Sequence, residues 1–590
     1  MLEDEIRILD ILPYCGAGSQ APIQCQVRVV RLTDTPFYDV LSYRWGNPEC
    51  TRHIQVDDQL SFVTDNLYAA LLRLRREDEK RTIWIDQLCI DQLNMEEKVV
   101  QIRLMRQIYS NCSQCFIWMD EINNGISQAD AESVLDVLSW MANSNLPVPL
   151  CLASTSTFQG PIQALRSIAV DDHQWWERIW TVQEAILPSD KVFLWGPLQL
   201  PWDTLTRCAR VWTSSGLPAE LNKLVSRSHT PDLTDIIERT VGWLVCNVIW
   251  IDGAHNGQEE PVQIFMKWRG RKASEPRDKI FGLLGLLPST MELRYTDQCD
   301  YSTPTEQVYC AFMLDMILDD KGLLPLAVQE RLTLDKGSDN LPAWVSHMDD
   351  REMPNQVGRF YRRWGYDSYD ACAGQRLHKR ALTNEVQAAK SHSPMRTLGV
   401  TGVAVDTIAL IGAKLLAPQD TNKMAETLRS WMDMASKYHK TLVSGSLGDA
   451  FKKVFYKVLV NDRVRNGEGW VVRSPKRRDL DHISEFVRTG EDTISDLGAW
   501  DQYVCNQTFF ITKNGMMGMG HLETEVGDEV WVFDGGKMPF TIRKRDCGGS
   551  NDFDFVGCCY AYGIMDGEAY KRNQSALAGS GGPRRTIRLH

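Results

Sequence analysis

The 590-residue chain lacks any long hydrophobic run. Its most apolar stretch, VGWLVCNVIWI from Val241 to Ile251, is too short to cross a bilayer, so no membrane span is expected. Excess positive charge is absent too. The net charge is −12 and is spread along the chain, which argues against generic nucleic-acid affinity. The opening MLEDEIRILD is acidic and has no basic region leading into an apolar core, so no secretory signal is expected. Sixteen cysteines are scattered without framework spacing. They read as reduced thiols of a cytoplasmic or nuclear protein, with the cytoplasm the expected compartment. GxSxG, Walker, kinase and HExxH signatures are all missing. Cys112 and Cys115 form a CxxC with neither a second CxxC nor a paired His. No zinc, no other metal and no resident cofactor are expected, and Cys115 reads as strand interior.

What is present is an alternation of strand and helix signals up to about residue 205. YDVLSY (Tyr38 to Tyr43), RTIWID (Arg81 to Asp86), QCFIWMD (Gln114 to Asp120) and KVFLWG (Lys191 to Gly196) read as strands. Between them, Leu67, Ala70, Leu71 and Leu74 mark one helical face. Met95, Val99, Ile102, Met105, Ile108 and Tyr109 mark another, with a capping-box-like start at Asn94 and Glu97. Such alternation predicts a mainly parallel sheet with helices on both faces, whose ligands bind beyond the carboxyl ends of the strands. Residues 206–500 read as mostly helical and irregular. Residues 501–575 read as a small antiparallel β module with turns at Asn514–Gly515 and Gly535–Gly536. The tail 576–590 has few apolar residues and reads as loose.

WIDQLCIDQ and SYRWG stand at expected strand ends, and WWERIWTVQEA reads as a tryptophan-rich helix. In WIDQLCIDQ, Asp86 and Asp91 read either as pocket residues or as a strand end and a turn cap. Two carboxylates without a nearby His make a poor metal site. In WWERIWTVQEA, Trp176, Trp180 and Glu184 are spaced i, i+4, i+8 and fall near one helical face. A carboxylate beside indoles is partly desolvated, which raises its pKa and suits proton transfer or charge stabilisation. The bland alternative is a core helix whose Glu reaches solvent or bonds to the loop after the first strand.

Four ordered motifs, YDVLSYRWGN, RTIWIDQLCIDQ, QIRLMRQIYSNCSQCFIWMD and RIWTVQEA, together resemble the fungal heterokaryon incompatibility (HET) domain. ASEPRDKIFGLLGLL, LPAWVS and GHLETEVGDEVWVFDGGKMPFTIR are similar to segments that follow this domain. The resemblance implies a filamentous fungus and a role in self/non-self recognition ending in cell death. More remotely, YDVLSYR, IWID and WTVQE resemble parts of TIR domains, whose fold is flavodoxin-like and whose enzymatic members cleave the nicotinamide–ribose bond of NAD. That likeness implies a catalytic Glu184 helped by Trp180. It implies that Arg44, Trp45 and Gly46 form the substrate-binding loop, with NAD as substrate and activity on homo-oligomeric or partner-induced assembly. As a strand-end loop, WIDQLCIDQ is expected at the mouth of the same crevice, adding Asp86, Cys89, Asp91 and Gln92 as substrate-binding residues. Thr181 departs from the TIR pattern, as do Trp45 and the insertion 121–172. Two other readings share the pocket: a non-enzymatic self-associating module, and a small-molecule enzyme of fungal secondary metabolism.

Overall fold

Runs that are apolar at every position demand cover on both faces, and such runs form the centre of the first sheet. The computed structural model describes most of residues 3–590; 329–340, 349–364, 383–395, 443–447, 466–471, 492–503, 576–583 and some shorter stretches lie outside the description. The chain divides into two units, Met1–Thr290 with Gln298–Ser302, and Met291–Asp297 with Thr303–His590.

The first unit holds a sheet of β1 (Glu5–Ile11), β2 (Gln24–Arg31), β3 (Asp39–Ser42), β4 (Arg52–Val56), β5 (Gln59–Val63), β6 (Arg81–Trp84), β7 (Cys115–Trp118), β8 (Lys191–Trp195) and β9 (Leu198–Pro201). Its order is β5-β4-β2-β1-β6-β3-β7-β8-β9. Strands β6, β3, β7 and β8 run parallel, and β3 and β7 are buried at every position. Counted along the chain, this centre has the order second, first, third, fourth. The strand order therefore reverses at β3, and a crevice opens there at the carboxyl ends.

The sheet is mixed, not mainly parallel as expected. Strand β1 runs antiparallel to both β2 and β6, and tight hairpins add β5 to β4 and β9 to β8 antiparallel. The β4–β5 turn places Asp57 and Asp58 at φ 48° and 63°. Both central residues are left-handed, the hallmark of a two-residue hairpin turn. Such a short connection admits only antiparallel neighbours.

Helix α1 (Asp65–Leu74) buries Leu67, Ala70, Leu71 and Leu74, as the spacing predicts, and Thr64 caps it by accepting from Leu67 N at 3.2 Å. A short α2 (Asp86–Cys89) follows β6, then α3 (Met95–Asn111). The apolar stripe of α3 starts later than expected: Met95 is half exposed, and the buried side chains begin at Gln101 and Ile102. Asn94 caps α3, but the Glu97 carboxylate turns away to Asp91 N and to Arg7, so the capping box is not closed. Helices α4 (Gln128–Ala142), α5 (Thr155–Ala169), α6 (Gln174–Glu177) and α7 (Trp180–Ile186) occupy the stretch between β7 and β8.

The second unit includes the helices Thr305–Asp320, Thr421–Leu442, Asp449–Leu459 and Arg477–Thr489. It also contains a strand where helix or loop was expected, β10 (Leu398–Ile411). After the small β11 (Val464–Arg465) and β12 (Val472–Arg473) come β13 (Gln507–Thr512), β14 (Met517–His521), β15 (Glu529–Phe533), β16 (Phe540–Lys544), β17 (Asp552–Cys558), β18 (Tyr560–Ala561) and β19 (Arg585–Leu589). The expected turns are present, with Gly515 at φ 83° and Gly535 at φ 76°. Strand β10 pairs with β19, then β15, then β13 along its length, shifting register near Ala404 and Ile408. At Gly402 a Cβ would meet Val532 O at 2.4 Å, so only glycine allows this approach. The ring β10-β15-β16-β17-β19 closes on itself, which removes open edges. Trp531, Phe533, Phe540 and Phe555 fill it with ring contacts between 5.5 and 5.9 Å.

Residues 585–589, expected in the loose tail, thus complete the barrel. Ile587 and Leu589 are fully buried, and Arg588 pairs with Asp552 at 2.6 Å. Ile587→Ala in the full chain should cost about 2–5 kcal/mol, since a cavity opens in a packed wall. Thermal melting measures this, and a loss within about 0.5 kcal/mol would show the strand to be peripheral.

Candidate functional site

The carboxyl ends of the central strands deliver polar residues into buried surroundings. Strand β3 ends at Ser42 and leads into Tyr43, Arg44, Trp45 and Gly46. Strand β6 leads to Asp86, and β7 to Asp120. Gly46 sits at φ 76°, which lets the loop turn sharply where other residues would be strained. Asn66 holds this loop by donating to Arg44 O at 2.7 Å, and accepts in turn from Trp118 Nε1 at 2.8 Å. Arg44 is steered by an ion pair with Asp120, itself a non-glycine residue at φ 68°.

The segment WWERIWTVQEA is not one helix, as expected, but two. Between α6 and α7, Arg178 forms a β-bridge with Lys272, and Ile179 N donates to Lys272 O at 2.9 Å. Backbone groups used in the bridge are lost to the helix. The break undoes the i, i+4, i+8 alignment. Trp176 turns away and donates to Ile168 O at 2.8 Å. Trp175 instead reaches the site and donates to Ser42 Oγ at 2.9 Å, and Ser42 Oγ donates to Glu184 Oε2 at 2.6 Å. Glu184 is only 4% exposed.

The bridge also carries residues 272–278 to the crevice. Helix Asp278–Leu284 follows and lies tight on α7, because a Cβ at Gly282 would meet Ile179 at 3.1 Å. Asp278 accepts from Trp180 Nε1 at 2.9 Å and from Tyr301 OH at 2.6 Å. The result is a cavity of ≈ 670 Å³ whose lining includes Arg44, Trp45, Gly46, Asp86, Gln92, Lys98, Arg178, Trp180, Glu184, Lys272, Asp278 and Tyr301. That size suits a small-molecule ligand.

Seven residues singled out in the sequence therefore meet at one cavity: Arg44, Trp45, Gly46, Asp86, Gln92, Trp180 and Glu184. Gln92 Nε2 donates to Asp86 O at 3.0 Å. Cys89 and Asp91 do not line it. Cys89 is fully buried, and its Sγ accepts from Ile85 N at 3.4 Å, because α2 turns it inward. Asp91 is exposed and caps a turn through Leu93 N at 3.1 Å. Lys98, Arg178, Lys272, Asp278 and Tyr301 were missed. Lys272 and Asp278 lie in or beside ASEPRDKIFGLL, legible as a motif but carrying no chemical signature.

Electrostatics set the character of the floor. Burial pushes the Glu184 carboxyl up to about 7, with Asp86 adding to the rise while Arg178 and Ser42 oppose it. Burial also raises Asp86, opposed by Arg178 and by bonds from Trp45 Nε1 at 2.7 Å and Gln87 N at 2.8 Å. Asp278 is raised by burial as well. Arg178 is anchored by donating to Tyr43 O at 2.5 Å. Lys98 lies 5.6 Å from the Tyr301 ring, and Lys272 pairs with Glu177 at 2.5 Å. Buried acids, fixed cations and aromatic faces thus converge on one concave surface. Such a combination marks a candidate binding or catalytic site.

Geometry and fold define an α/β unit with a ligand-sized crevice at a strand-order reversal, in a chain that also carries a β-barrel. Residues 38–184 match the family model "Heterokaryon incompatibility protein (HET)", and residues 492–576 match "Het-6 beta-barrel domain". The chain is 24% identical to "Heterokaryon incompatibility protein 6, OR allele" of Neurospora crassa, over 95% of this chain and 94% of that protein. No solved structure matches. The chain thus carries a HET domain match and a Het-6 barrel match in one polypeptide, and is similar along nearly its whole length to a fungal heterokaryon incompatibility protein. The HET match ends at Glu184, so it contains both the loop after β3 and the buried acid. Strands β10 and β19 lie outside the barrel match.

The raised Glu184 has a stability signature. The unfolded carboxyl loses its proton near 4.5, whereas the folded one keeps it to about 7. Between these values the folded state binds more protons, so stability falls as pH rises through the window. The shift corresponds to about 3 kcal/mol. Glu184→Gln removes this slope. The stability of the wild type relative to that variant should fall by up to about 3 kcal/mol between pH 4.5 and pH 7.5 in denaturant titrations. A difference that stays flat with pH contradicts the assignment.

Proposed function

We propose that this protein is a HET-type effector of fungal self/non-self recognition whose activation leads to cell death. We further infer that its cavity cleaves the nicotinamide–ribose bond of NAD. The observation that carries the chemical part is the buried Glu184 carboxyl, poised near neutrality in a ligand-sized crevice beside Arg178, Asp86 and Trp180. The order of the parallel centre is the one found in flavodoxin-like folds, which supports the TIR-like reading.

In the proposed reaction the bond from ribose C1′ to the nicotinamide nitrogen breaks. Its electron pair goes to that nitrogen and neutralises the cationic ring. The ribose becomes oxocarbenium-like, and the Glu184 carboxylate stabilises it in a site of low polarity. Water then adds to C1′ and its proton leaves to base or solvent. Trp45, Trp180 and Tyr301 offer ring faces for stacking, and Lys98 and Lys272 supply positive charge for phosphates.

One observation favours self-association as the working state. The edge strand β5 exposes Leu60 and Phe62 on one face, at 63% and 59%. An edge strand with an exposed apolar face invites pairing with another chain. Assembly is compatible with enzymatic and with purely scaffolding action.

The test is nicotinamide release from NAD by concentrated protein. Glu184→Gln should lower turnover about 100-fold or more while leaving the fold intact, since Gln cannot carry the stabilising charge. Trp180→Phe keeps a ring but loses the bond to Asp278, so its main effect should fall on KM. Wild-type protein that releases none under any assembly condition, yet kills cells when expressed, eliminates the NAD reading and favours the scaffold.

A further inference from the structure

We propose that Ser42 and Trp175 are positioning residues that make Oε1 the single reacting oxygen of Glu184. The proposal rests on Glu184 being the reacting carboxyl, and its evidence is the hydrogen-bond relay behind that carboxyl.

An indole nitrogen can only donate. Trp175 Nε1 gives its proton to Ser42 Oγ at 2.9 Å, which fixes one partner of the hydroxyl as a donor. Ser42 is 0% exposed, so its own proton needs an acceptor inside the protein. Among the described residues that acceptor is Glu184 Oε2, at 2.6 Å. Consider the opposite arrangement, with the Glu184 proton on Oε2 and donated to Ser42. The Ser42 proton would then face no acceptor, and a buried unsatisfied donor is costly. Oε2 is therefore committed as an acceptor in both charge states. When Glu184 is neutral, its proton sits on Oε1. When Glu184 is ionised, Oε1 carries the charge that no serine shares. The same atom is offered to the cavity as acid or as anion.

The relay is rigid. Ser42 is the last residue of β3. The Trp175 ring is 1% exposed and meets Trp176 edge-on at 4.8 Å. Thr181 Oγ1 donates to Trp175 O at 2.7 Å, which ties α6 to the helix that bears Glu184. The ionisable groups facing Glu184 are Arg178, Asp86, Tyr43, Tyr109 and Cys115. Of these, Arg178 alone favours the anion. Ser42 is thus the second support of the charged form, and the one that selects between the two oxygens.

The experiment is infrared difference spectroscopy of the full chain across pH, following the carboxyl band that disappears in Glu184→Gln. In wild-type protein the band should titrate at about 7. Ser42→Ala should raise that midpoint by about one pH unit or more, because a bond to a charged acceptor is lost. Ser42→Cys, a weaker donor, should fall between. Trp175→Phe frees the hydroxyl to accept from neutral Glu184, and should raise the midpoint by a smaller amount. A purely structural role would lower melting temperatures and leave the midpoints alone. A folded Ser42→Ala protein with an unchanged or lower midpoint overturns the proposal. If that variant does not fold, Trp175→Phe decides in the same way. The readout needs no turnover, so a protein that never releases nicotinamide loses the NAD reading while these midpoints still judge the relay.

Discussion

The constraint on which the first unit turns is the removal of the Glu184 carboxyl from water. Desolvation is the largest influence on it, and three neighbours decide how far that influence runs. Ser42 exists at the right place because β3 ends there, buried at every position by the parallel strands beside it. Arg178 stands at the floor because the helix breaks at its position. The break is maintained by the bridge to Lys272. That bridge also brings in Asp278, and Gly282 lets the following helix approach closely enough to keep it there. A Cβ at Gly282 would therefore disturb the cavity without touching it, by pushing on Ile179 beside Arg178.

The sequence carried much of this and hid the rest for identifiable reasons. The parallel strands were legible because burial on both faces writes continuous apolar runs. Convergence of the SYRWG loop, Asp86 and Glu184 followed from one rule about carboxyl ends. The antiparallel flanks were less legible. Strands β2, β4 and β5 are half exposed and mix polar with apolar residues, so their periodicity is weak. The broken helix was hidden because its cause, Lys272, is remote in sequence. Regular spacing of Trp176, Trp180 and Glu184 suggested one face, but the partner of Glu184 is Ser42, and the indole behind that serine is Trp175. Cys89 and Asp91 were assigned to the mouth by proximity in sequence. One turn of α2 is enough to send one inward and the other to the surface.

In the second unit the same limits appear on a larger scale. The local turns at Gly515 and Gly535 were readable, since a left-handed residue leaves a chemical mark. Barrel closure was not, because it joins β10 and β19, which lie outside the contiguous β-rich run. Strand β19 is alternating and charged, RTIRL, and looks like tail. Arginines beside and on it meet acids already held by the barrel: Arg584, just before the strand, reaches Asp534, and Arg588 reaches Asp552. Asp552 is held well below the usual carboxylate range by Arg588 and His590. Charge directs this strand into register, while Ile587 and Leu589 supply the burial that retains it.

The cavity floor has one more consequence. Glu184 and Asp86 are both raised by burial, and Asp86 raises Glu184 further. Near neutral pH the pair therefore holds back part of its second negative charge, with Arg178 balancing most of what remains. An empty floor of this kind is close to electrically neutral, which limits the cost of keeping it dry. A ligand that brings a positively charged ring changes the balance. It favours the fully ionised pair, so its arrival draws a proton off Glu184. The proton leaves from Oε1, since Oε2 is occupied by Ser42. On the proposed NAD chemistry, the carboxylate that stabilises developing positive charge would be generated in part by the substrate itself, and the unliganded protein would carry less buried negative charge while it waits.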